Sequence, residues 1–368
     1  MNESATKTSD APIKSAPQYK TNARIAWYRS PIDKTVLAEL MQKSDLRGAI
    51  HVTLQIGLFI TTGLLAYAVF RMISPANWYW TVPLLYVALF AHGTGGPFMG
   101  LVSVHELVHR TPFKTKALNE IFLTIYSFLS WSDYIWFRPS HIKHHQVTVH
   151  TGYDGEVTLP QVLTLRNREF WLGLVAWNPK LTWNTIRNFA IWSTGEVESG
   201  TAWPGWYSHV IPRENETLRR KHRHWARTVL YGHLALAAVF IATGHWFLII
   251  VFTIGTQYCG WLGLLLGMPQ HYGMSPSVPD FRLCCRTYTC SWLPGFYYWN
   301  MQYHVEHHMY PGVPFFNLPK LRKALEHDLP PVHHGIVATW REMLEIHHRQ
   351  KDDPNYCLVP DLPEPNAT

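Results

Sequence analysis

The chain has 368 residues, enough for one large domain or two. Hydrophobic residues make up 47% of it and charged residues only 15%, which is a low charged fraction for a soluble protein. Its 17 Trp and 18 Tyr residues are of the kind that collects at membrane interfaces. The net charge of +7 therefore indicates basic loops beside a membrane and argues against nucleic-acid binding. The five cysteines form no CxxC pair and suggest no disulfide framework.

Four apolar runs have the length and composition of membrane-spanning helices, arranged as two hairpins. They cover about 50–72, 80–104, 227–243 and 246–268. The last run has no charged residue over its 23 positions, so we predict one continuous helix there. Glycines in the second run permit close helix packing; they are Gly93, Gly95, Gly96 and Gly100. For the shorter apolar segment at 118–137, the sequence leaves insertion into the membrane open.

The remaining segments are more polar. Residues 1–48 are predicted to be a cytoplasmic tail without a signal-peptide core, followed by a short interfacial helix within 26–48. Residues 49–330 form the membrane domain, and 331–368 are a polar C-terminal tail. Tryptophans between 170 and 206 favour helices that lie in the membrane interface. The predicted fold is an all-α integral membrane protein with about four transmembrane helices and a cytoplasmic helical cap.

Three histidine-rich stretches organise the sequence, one with the pattern HxxxH and two with the pattern HxxHH. Residues three and four apart share a face of a helix, so each stretch would present its imidazoles to one point. A single further candidate follows the fourth apolar run. The nine candidates are His105 and His109 in box one, His141, His144 and His145 in box two, the isolated His271, and His304, His307 and His308 in box three.

Such a set of imidazoles is typical of a metal site, because imidazole binds iron, copper, zinc and nickel. Nine ligands exceed the roughly four of a zinc site, so two metal ions are the simplest interpretation. A nitrogen shell without thiolates favours iron and O₂ chemistry. Four carboxylates are candidates for orienting the imidazoles through hydrogen bonds, although solvated acidic positions would explain them equally well; they are Glu106, Asp154, Glu156 and Glu306.

The distribution of basic residues predicts the topology. The connections at 71–79 and 244–245 contain one Lys or Arg between them, Arg71, while the N-terminal segment, residues 105–225 and the C-terminus hold nearly all the others. By the positive-inside rule these three segments face the cytoplasm. Both termini and all nine histidines then lie on the same side, as one shared site requires.

The order of the three boxes and the two hairpins is similar to the membrane fatty-acid desaturase and hydroxylase superfamily, over roughly 50–330. The stretch 298–311, around box three, resembles bacterial and sphingolipid desaturases, which implies a bacterial inner-membrane protein. In this family the boxes and one further histidine, matched by His271, bind two irons. Gly267 stands where members often have an Asn, so a water-mediated ligand is expected to be absent or replaced.

Two other features resemble a neighbouring branch. The stretches 105–110 and 271–273 resemble alkane hydroxylases, which have a longer spacing in box two. Residues 268–286 resemble bacterial hydrocarbon oxygenases or dihydrorhizobitoxine-type desaturases, whose substrates need not be lipids. The resemblance therefore implies desaturation of an aliphatic, fatty-acyl-like substrate, with hydroxylation of an alkane-like or small aliphatic substrate as the alternative.

The same resemblance implies that O₂ is a co-substrate and that each turnover needs two electrons. The sequence has neither the His-Pro-Gly-Gly signature of a fused cytochrome b5 nor a cysteine pattern for an iron–sulfur cluster. A separate electron carrier with its reductase is therefore expected, of the ferredoxin, rubredoxin or cytochrome b5 type. A basic protein surface would suit an acidic carrier.

Two other classes compete with this interpretation. Residues 105–109 fit the HExxH motif of a zinc membrane protease, in which Glu106 would be the general base, but that leaves six spaced histidines without a role. A non-catalytic metal transporter would need polar residues within the spans. The run at 246–268 offers only Thr253, Thr256, Gln257 and Cys259, which argues against a transporter.

Overall fold

The structure, a computed structural model, describes residues 19–20, 24–159, 161, 168–197, 205–332 and 334–364. Across these residues the regular secondary structure is helical, with isolated bridges in place of strands, which confirms the all-α prediction. Short π-helical turns cover Met99–Ser103 and Ile249–Thr253, and 3₁₀ turns cover Met268–Gln270 and Phe315–Asn317. The α-helices are α1 Lys34–Leu40, α2 Asp45–Met72, α3 Trp78–Gly95, α4 Val104–His109, α5 Lys116–Leu129, α6 Tyr134–Val147, α7 Arg168–Val175, α8 Pro179–Thr194, α9 Trp206–Val210, α10 Glu216–Ala242, α11 Trp261–Gly267, α12 Phe281–Cys284, α13 Trp292–Tyr297, α14 His304–Met309, α15 Leu318–Leu325 and α16 Ile336–Arg349.

Three helical segments of the described chain are long and apolar enough to cross a membrane: Asp45–Met72, Trp78–His109 and Glu216–Ala242. They contain the first three predicted runs. The second segment joins α3, the π-helical turn and α4, so the helix continues through box one instead of ending before it. Large apolar side chains on these helices are exposed, among them Leu65 and Ile241, as expected for surfaces that face lipid.

The fourth apolar run does not form one helix, so the prediction of a continuous helix over 246–268 is wrong. The π-helical turn ends at Thr253, and α11 begins only at Trp261. A Cβ atom at Gly255 would lie 2.0 Å from the carbonyl oxygen of Val251, so the backbone there accepts glycine alone. The absence of charge in this run indicates an apolar environment, but apolarity by itself does not establish an unbroken helix.

Side chains from neighbouring helices satisfy the backbone carbonyls near this break. His92 Nε2 donates to the carbonyl of Val251 at 2.7 Å, and Trp131 Nε1 donates to that of Thr253 at 2.7 Å. An unpaired carbonyl in an apolar environment would cost on the order of several kcal/mol. These two donors therefore allow an irregular backbone to exist between spanning helices.

The tryptophan-rich segment contributes to the same break. Its helices α7 and α8 are joined at residues 176–178, and the carbonyl of Gly173 accepts the backbone N–H of Gly260 at 3.1 Å. Trp183, on α8, is 65% exposed, which suits the predicted contact with a membrane interface. Trp203, which belongs to the same prediction, lies outside the described residues.

The close packing predicted for the glycines of the second run is confirmed. A Cβ atom at Gly93 would lie 2.4 Å from the ring of Tyr258, and one at Gly96 would lie 2.5 Å from the carbonyl oxygen of Gly255. At Gly95 and Gly100 the nearest atoms, from Tyr297 and Ser132, would be 2.8 and 2.9 Å away. These contacts bring the broken fourth run, α13 and the residues just before α6 directly against α3 and the π-helical turn.

Replacing Gly96 with alanine is expected to lower the free energy of unfolding by about 1–3 kcal/mol, because the new methyl group meets backbone and not a movable side chain. Thermal unfolding in detergent would measure the change. The matched control is Gly57→Ala on α2, where nothing lies within 4 Å, and it should be neutral or slightly stabilising. Equal midpoints for the two variants would contradict the close approach at Gly96.

The helices near both ends of the described chain differ from the prediction. The interfacial helix expected within 26–48 is limited to α1, since residues from Asp45 onward belong to α2. The region 331–368, expected to be a polar tail, contains α16, which packs against α11 and the 3₁₀ turn after it. The segment at 118–137 divides into α5 and the start of α6.

The helices that bear the histidine boxes are α4, α6 and α14; α4 and α6 pack against each other and against α5, and α14 packs against α12 and α15. Every residue of α14 is buried. Val305 and Met309 of that helix belong to a hydrophobic cluster that also contains Leu318 and Leu321 of α15. Box three is therefore fixed by hydrophobic packing, although half of the residues of α14 are histidines.

Candidate metal centre

The structure brings the nine predicted histidines together from four separate parts of the chain. Five of them form group one, in which one nitrogen from each ring lies within 4.8 Å of the others; these are His105, His109, His141, His145 and His307. A second set with the same spacing, group two, contains His144, His271 and His308. His304 adjoins group two, because its Nε2 lies 3.0 Å from Nε2 of His271 and 3.1 Å from Nε2 of His308.

Boxes two and three are each divided between the groups, contrary to the expectation that each box serves one point. His141 and His145 face group one, whereas His144 faces group two. Box three is divided in the opposite way, with His307 in group one and the other two rings beside group two. Successive helical residues point about 100° apart, so rings at i+3 and i+4 diverge enough to serve different centres.

Both histidines of box one belong to group one. The π-helical turn at Met99–Ser103 shifts the helix register directly before it, as such turns frequently do at functional sites. Helix α4 then carries His105 and His109 one turn apart and ends at Arg110, whose φ of 59° is left-handed. This short helix therefore contributes two imidazoles before it ends.

Four rings have their orientation set by a partner at Nδ1. His141 faces Glu156 at 2.7 Å and His144 faces Asp154 at 2.7 Å. The carbonyl of Cys284 lies 2.9 Å from Nδ1 of His271. A carboxylate or carbonyl oxygen only accepts, so Nδ1 of each ring is the protonated nitrogen and Nε2 keeps a lone pair.

The fourth ring follows the same rule through a hydroxyl group. Thr148 Oγ1 lies 3.1 Å from Nδ1 of His308 and donates its own hydrogen to the carbonyl of His144 at 2.8 Å. Nδ1 of His308 must therefore donate, which leaves a lone pair on Nε2. Neither Thr148 nor the Cys284 carbonyl was identified from the sequence, since no spacing rule marks a threonine or a backbone group as a histidine partner.

These tautomers make the centre suited to cations. Nε2 atoms of His271 and His308 both point a lone pair at His304, and Nε2 of His145 lies 3.0 Å from that of His141. Two nitrogens that bind one ion at about 2.1 Å and at right angles lie about 3.0 Å apart. Within the described part of the chain, Nε2 of His109 and Nε2 of His307 are buried and have no hydrogen-bond partner. The donor set therefore fits nitrogen-binding metal ions.

The four predicted carboxylates take different positions. Asp154 and Glu156 each accept a hydrogen bond from a box-two ring. Glu106 lies behind the rings of group one, with Oε1 3.6 Å from Nδ1 of His307 and 3.8 Å from that of His105. Glu306 contacts no imidazole in the described chain; it accepts hydrogen bonds from Thr287 and Arg322, and so supports α14 indirectly.

Burial keeps most of these imidazoles in the neutral form that binds metals. It lowers the pKa well below the ordinary histidine value for His141, His145, His304, His307 and His308, and lowers the pKa of His271 to about 3. His144 differs, because burial lowers its pKa but the charge and hydrogen bond of Asp154 outweigh burial and raise it. Asp154 thus favours a cation at this ring, whether a proton or a metal ion.

The centre is open to the exterior at one described cavity of about 600 Å³. His109, His145 and His308 line its inner end, and Arg24 and Arg29 lie along it. The N-terminal segment 24–30 forms this wall. It is held in place by Trp27, which stacks on Phe281 with ring centroids 4.0 Å apart.

Comparison with known proteins agrees with this geometry. A family model described as fatty acid desaturase matches residues 77–340, which include all nine histidines. The chain belongs to the fatty acid desaturase family. It is therefore an oxidoreductase associated with membranes, as the resemblance of the boxes implied, and the zinc-protease alternative is wrong. Members of this family generally need an electron donor.

Two curated members of the wider family are similar to this desaturase-family chain. One is a Delta(9) fatty acid conjugase-like enzyme of Dimorphotheca sinuata, 23% identical over 296 residues, which cover 71% of this chain and 75% of that protein. The other is a Delta(12) fatty acid desaturase of Mortierella alpina, 23% identical over 378 residues, which cover 92% of both proteins. The bacterial affiliation inferred from box three stays a prediction.

Proposed function

We propose that this protein is a non-haem di-iron oxidase that uses O₂ and two electrons to desaturate an aliphatic, fatty-acyl-like substrate. The observation that carries the proposal is the convergence of imidazole lone pairs at about 3.0 Å in two adjacent groups. Group one would hold one iron with five imidazoles. Group two would hold the other with His144, His271, His304 and His308.

The chain's own residues would prepare this site in three ways. Asp154, Glu156, Thr148 and the Cys284 carbonyl orient the ligand rings, so that little reorganisation accompanies metal binding. Burial of the rings excludes water and keeps them neutral. Two bound irons would supply the O₂-derived oxidising power needed to remove hydrogen from an unactivated C–H bond.

Desaturation is favoured over hydroxylation by the names of the two relatives, a desaturase and a conjugase-like enzyme. Hydroxylation of an alkane-like or small aliphatic substrate is the second candidate, because box one and the stretch 271–273 resemble alkane hydroxylases. The same imidazole arrangement serves both outcomes. They differ in where the substrate carbon lies relative to the metal ions.

Electrons would come from a separate carrier of the ferredoxin, rubredoxin or cytochrome b5 type with its reductase. The cavity beside His109, His145 and His308 supports this proposal, since it is the described opening nearest the ligand rings. Arg24 and Arg29 line it, and none of the described residues that line it is acidic. An acidic carrier would therefore be attracted to this face.

The proposed topology places the histidines and both termini on the cytoplasmic side of a bacterial inner membrane. The distribution of Lys and Arg supports it. So do two contacts of the terminal segments with the histidine-bearing half of the chain. The N–H of Tyr28 donates to Pro279, and the N–H of Leu358 donates to Gly273.

The test combines metal analysis with product analysis. Detergent-purified protein, reconstituted with iron, should contain about two irons per chain and should convert a fatty-acyl substrate to an alkene when O₂, a carrier and its reductase are supplied. An alcohol as the main product would favour the second candidate. About one zinc per chain and no O₂ consumption would overturn the di-iron proposal.

A further inference from the structure

We propose that Arg286 and Glu342 are positioning residues that hold His271 in group two, so that the C-terminal helix α16 controls metal retention there. This inference rests on the proposed function for the identity of the bound metal. Neither residue belongs to a histidine box, and Glu342 lies in the region that the sequence suggested is a polar tail. The two are 56 positions apart in the chain.

His271 needs such support because it is the one candidate ligand outside a helix. It follows the 3₁₀ turn Met268–Gln270 and precedes Gly273, whose φ is +70°. The other eight rings lie on α4, α6 or α14 and inherit their positions from those helices. The turn that carries His271 must be held by contacts from elsewhere.

Arg286 supplies most of those contacts. Its Nη1 donates to the carbonyl of Pro269 at 2.6 Å and to that of Tyr272 at 2.9 Å, one on each side of His271. Its backbone N–H donates to the carbonyl of Gln270 at 2.8 Å. Three carbonyls around the ligand are thus bound to a single residue. The planar guanidinium gives the two carbonyls that it binds a fixed geometry, which an ammonium group cannot reproduce.

Glu342 makes the burial of this guanidinium tolerable. Arg286 is 5% exposed, and its Nε donates to Glu342 Oε2 at 2.9 Å. A buried arginine without its carboxylate would be strongly destabilised, so it would move toward water and release the two carbonyls. The carboxylate therefore acts on His271 through Arg286.

The rest of α16 and the chain after it support the same turn from the other side. Tyr272 is fully buried against Met343 and Ile346, and its hydroxyl donates to Gln350 Oε1 at 3.0 Å. The backbone N–H of Leu358 donates to the carbonyl of Gly273 at 2.7 Å. The turn lies between Arg286 and the C-terminal segment, so a loss on either side would let it shift.

The experiment compares Glu342→Gln and Arg286→Lys with wild type by titrating metal-free protein with Co²⁺ and by counting irons after reconstitution. Group two should lose affinity by about 10–100-fold in both variants, the range typical of residues that orient metal ligands. Iron content should fall from about two to about one per chain. Group one should retain its metal, which a general loss of folding would not allow.

The matched control is Asp328→Asn. It removes one of the two carboxylates that pair with Arg282, whose Nη1 donates to Asp328 Oδ1 at 2.8 Å while Asp280 remains; the pair with Asp328 does not contact the turn that carries His271. This variant should keep both metals. Thermal unfolding of the metal-free proteins separates metal loss from instability, since it measures the destabilisation of each variant without a metal ion.

The outcomes distinguish this inference from the proposed function. Wild type that binds no metal overturns both. Two metals in wild type and in both variants, with unchanged affinity, overturn the positioning role alone. Loss of metal from both groups, or equal loss in Asp328→Asn, assigns the pair to general stability and also overturns it.

Discussion

Replacing His307 with alanine is expected to remove the metal of group one and to lower the desaturation rate at least about 100-fold. His307 is the single box-three ring in group one, and its buried Nε2 has no hydrogen-bond partner among the residues that the structure describes. Its ring centroid lies 4.7 Å from that of His105 and 4.8 Å from that of His109. The substitution therefore removes the one ligand that box three contributes to group one.

Iron content and product formation would be measured side by side. Iron should fall to about one per chain or below, with the helical content unchanged. His348→Ala is the control, because that histidine is exposed on α16; it should keep both irons and full activity. One zinc per chain, unaffected by His307→Ala, would refute the assignment of group one as an iron site.

Replacing Asp154 with asparagine should have the second-largest effect, on group two. The carboxylate accepts from His144 at 2.7 Å, from the N–H of Val149 at 2.8 Å and from the N–H of Glu156 at 2.9 Å. An amide keeps the shape but has one oxygen where the carboxylate has two. Metal affinity of group two should fall about 10–100-fold, and the free energy of unfolding by about 1–3 kcal/mol.

The pH dependence of stability gives an independent measurement of the same residue. Burial raises the pKa of Asp154, but His144 and the two N–H donors outweigh it and leave the pKa below its usual value. A lowered pKa stabilises the fold above the unfolded value of about 3.9, and the contribution is lost as pH falls through the folded pKa. Metal-free Asp154→Asn should therefore show a weaker loss of stability below about pH 4 than wild type.

Asp45→Asn is the control for the measurement of metal affinity. Asp45 also accepts two hydrogen bonds, from the N–H and hydroxyl of Thr115, but it is partly exposed at the start of α2 and far from the histidine groups in the chain. Metal affinity should not change in this variant. An equal loss of group-two metal in Asp45→Asn would show that the effect of Asp154→Asn does not arise at His144.

The spanning helices were predictable to different degrees. The predictions for the first three runs are confirmed, because a long apolar run with few polar groups favours a continuous helix. These runs correspond to α2, the α3–α4 segment and α10. The fourth run failed at Gly255. There His92, Trp131 and Gly173 satisfy the backbone from distant parts of the chain, and no local pattern reveals such partners.

The histidines were predictable as a set, since spacings of three and four on a helix are local properties of the sequence. Their division into two groups was not. The packing of helices α4, α6 and α14 decides which group each ring belongs to. It places His144 in group two, apart from the other box-two rings, and His307 in group one with the box-one rings. Glu106 and Glu306 both lie between the histidines of a box, yet of these two only Glu106 lies near ligand rings.

The sequence is sufficient for composition, helical periodicity and ligand type, because each depends on residues close together in the chain. It therefore specifies an all-α membrane protein and nine imidazole donors. Tertiary structure alone decides the contacts that need long-range packing. Arg286 reaches Glu342 across 56 residues, and Trp131 reaches Thr253 across 122. Folding brings such partners together through hydrophobic burial, which is non-directional and leaves no motif in the sequence.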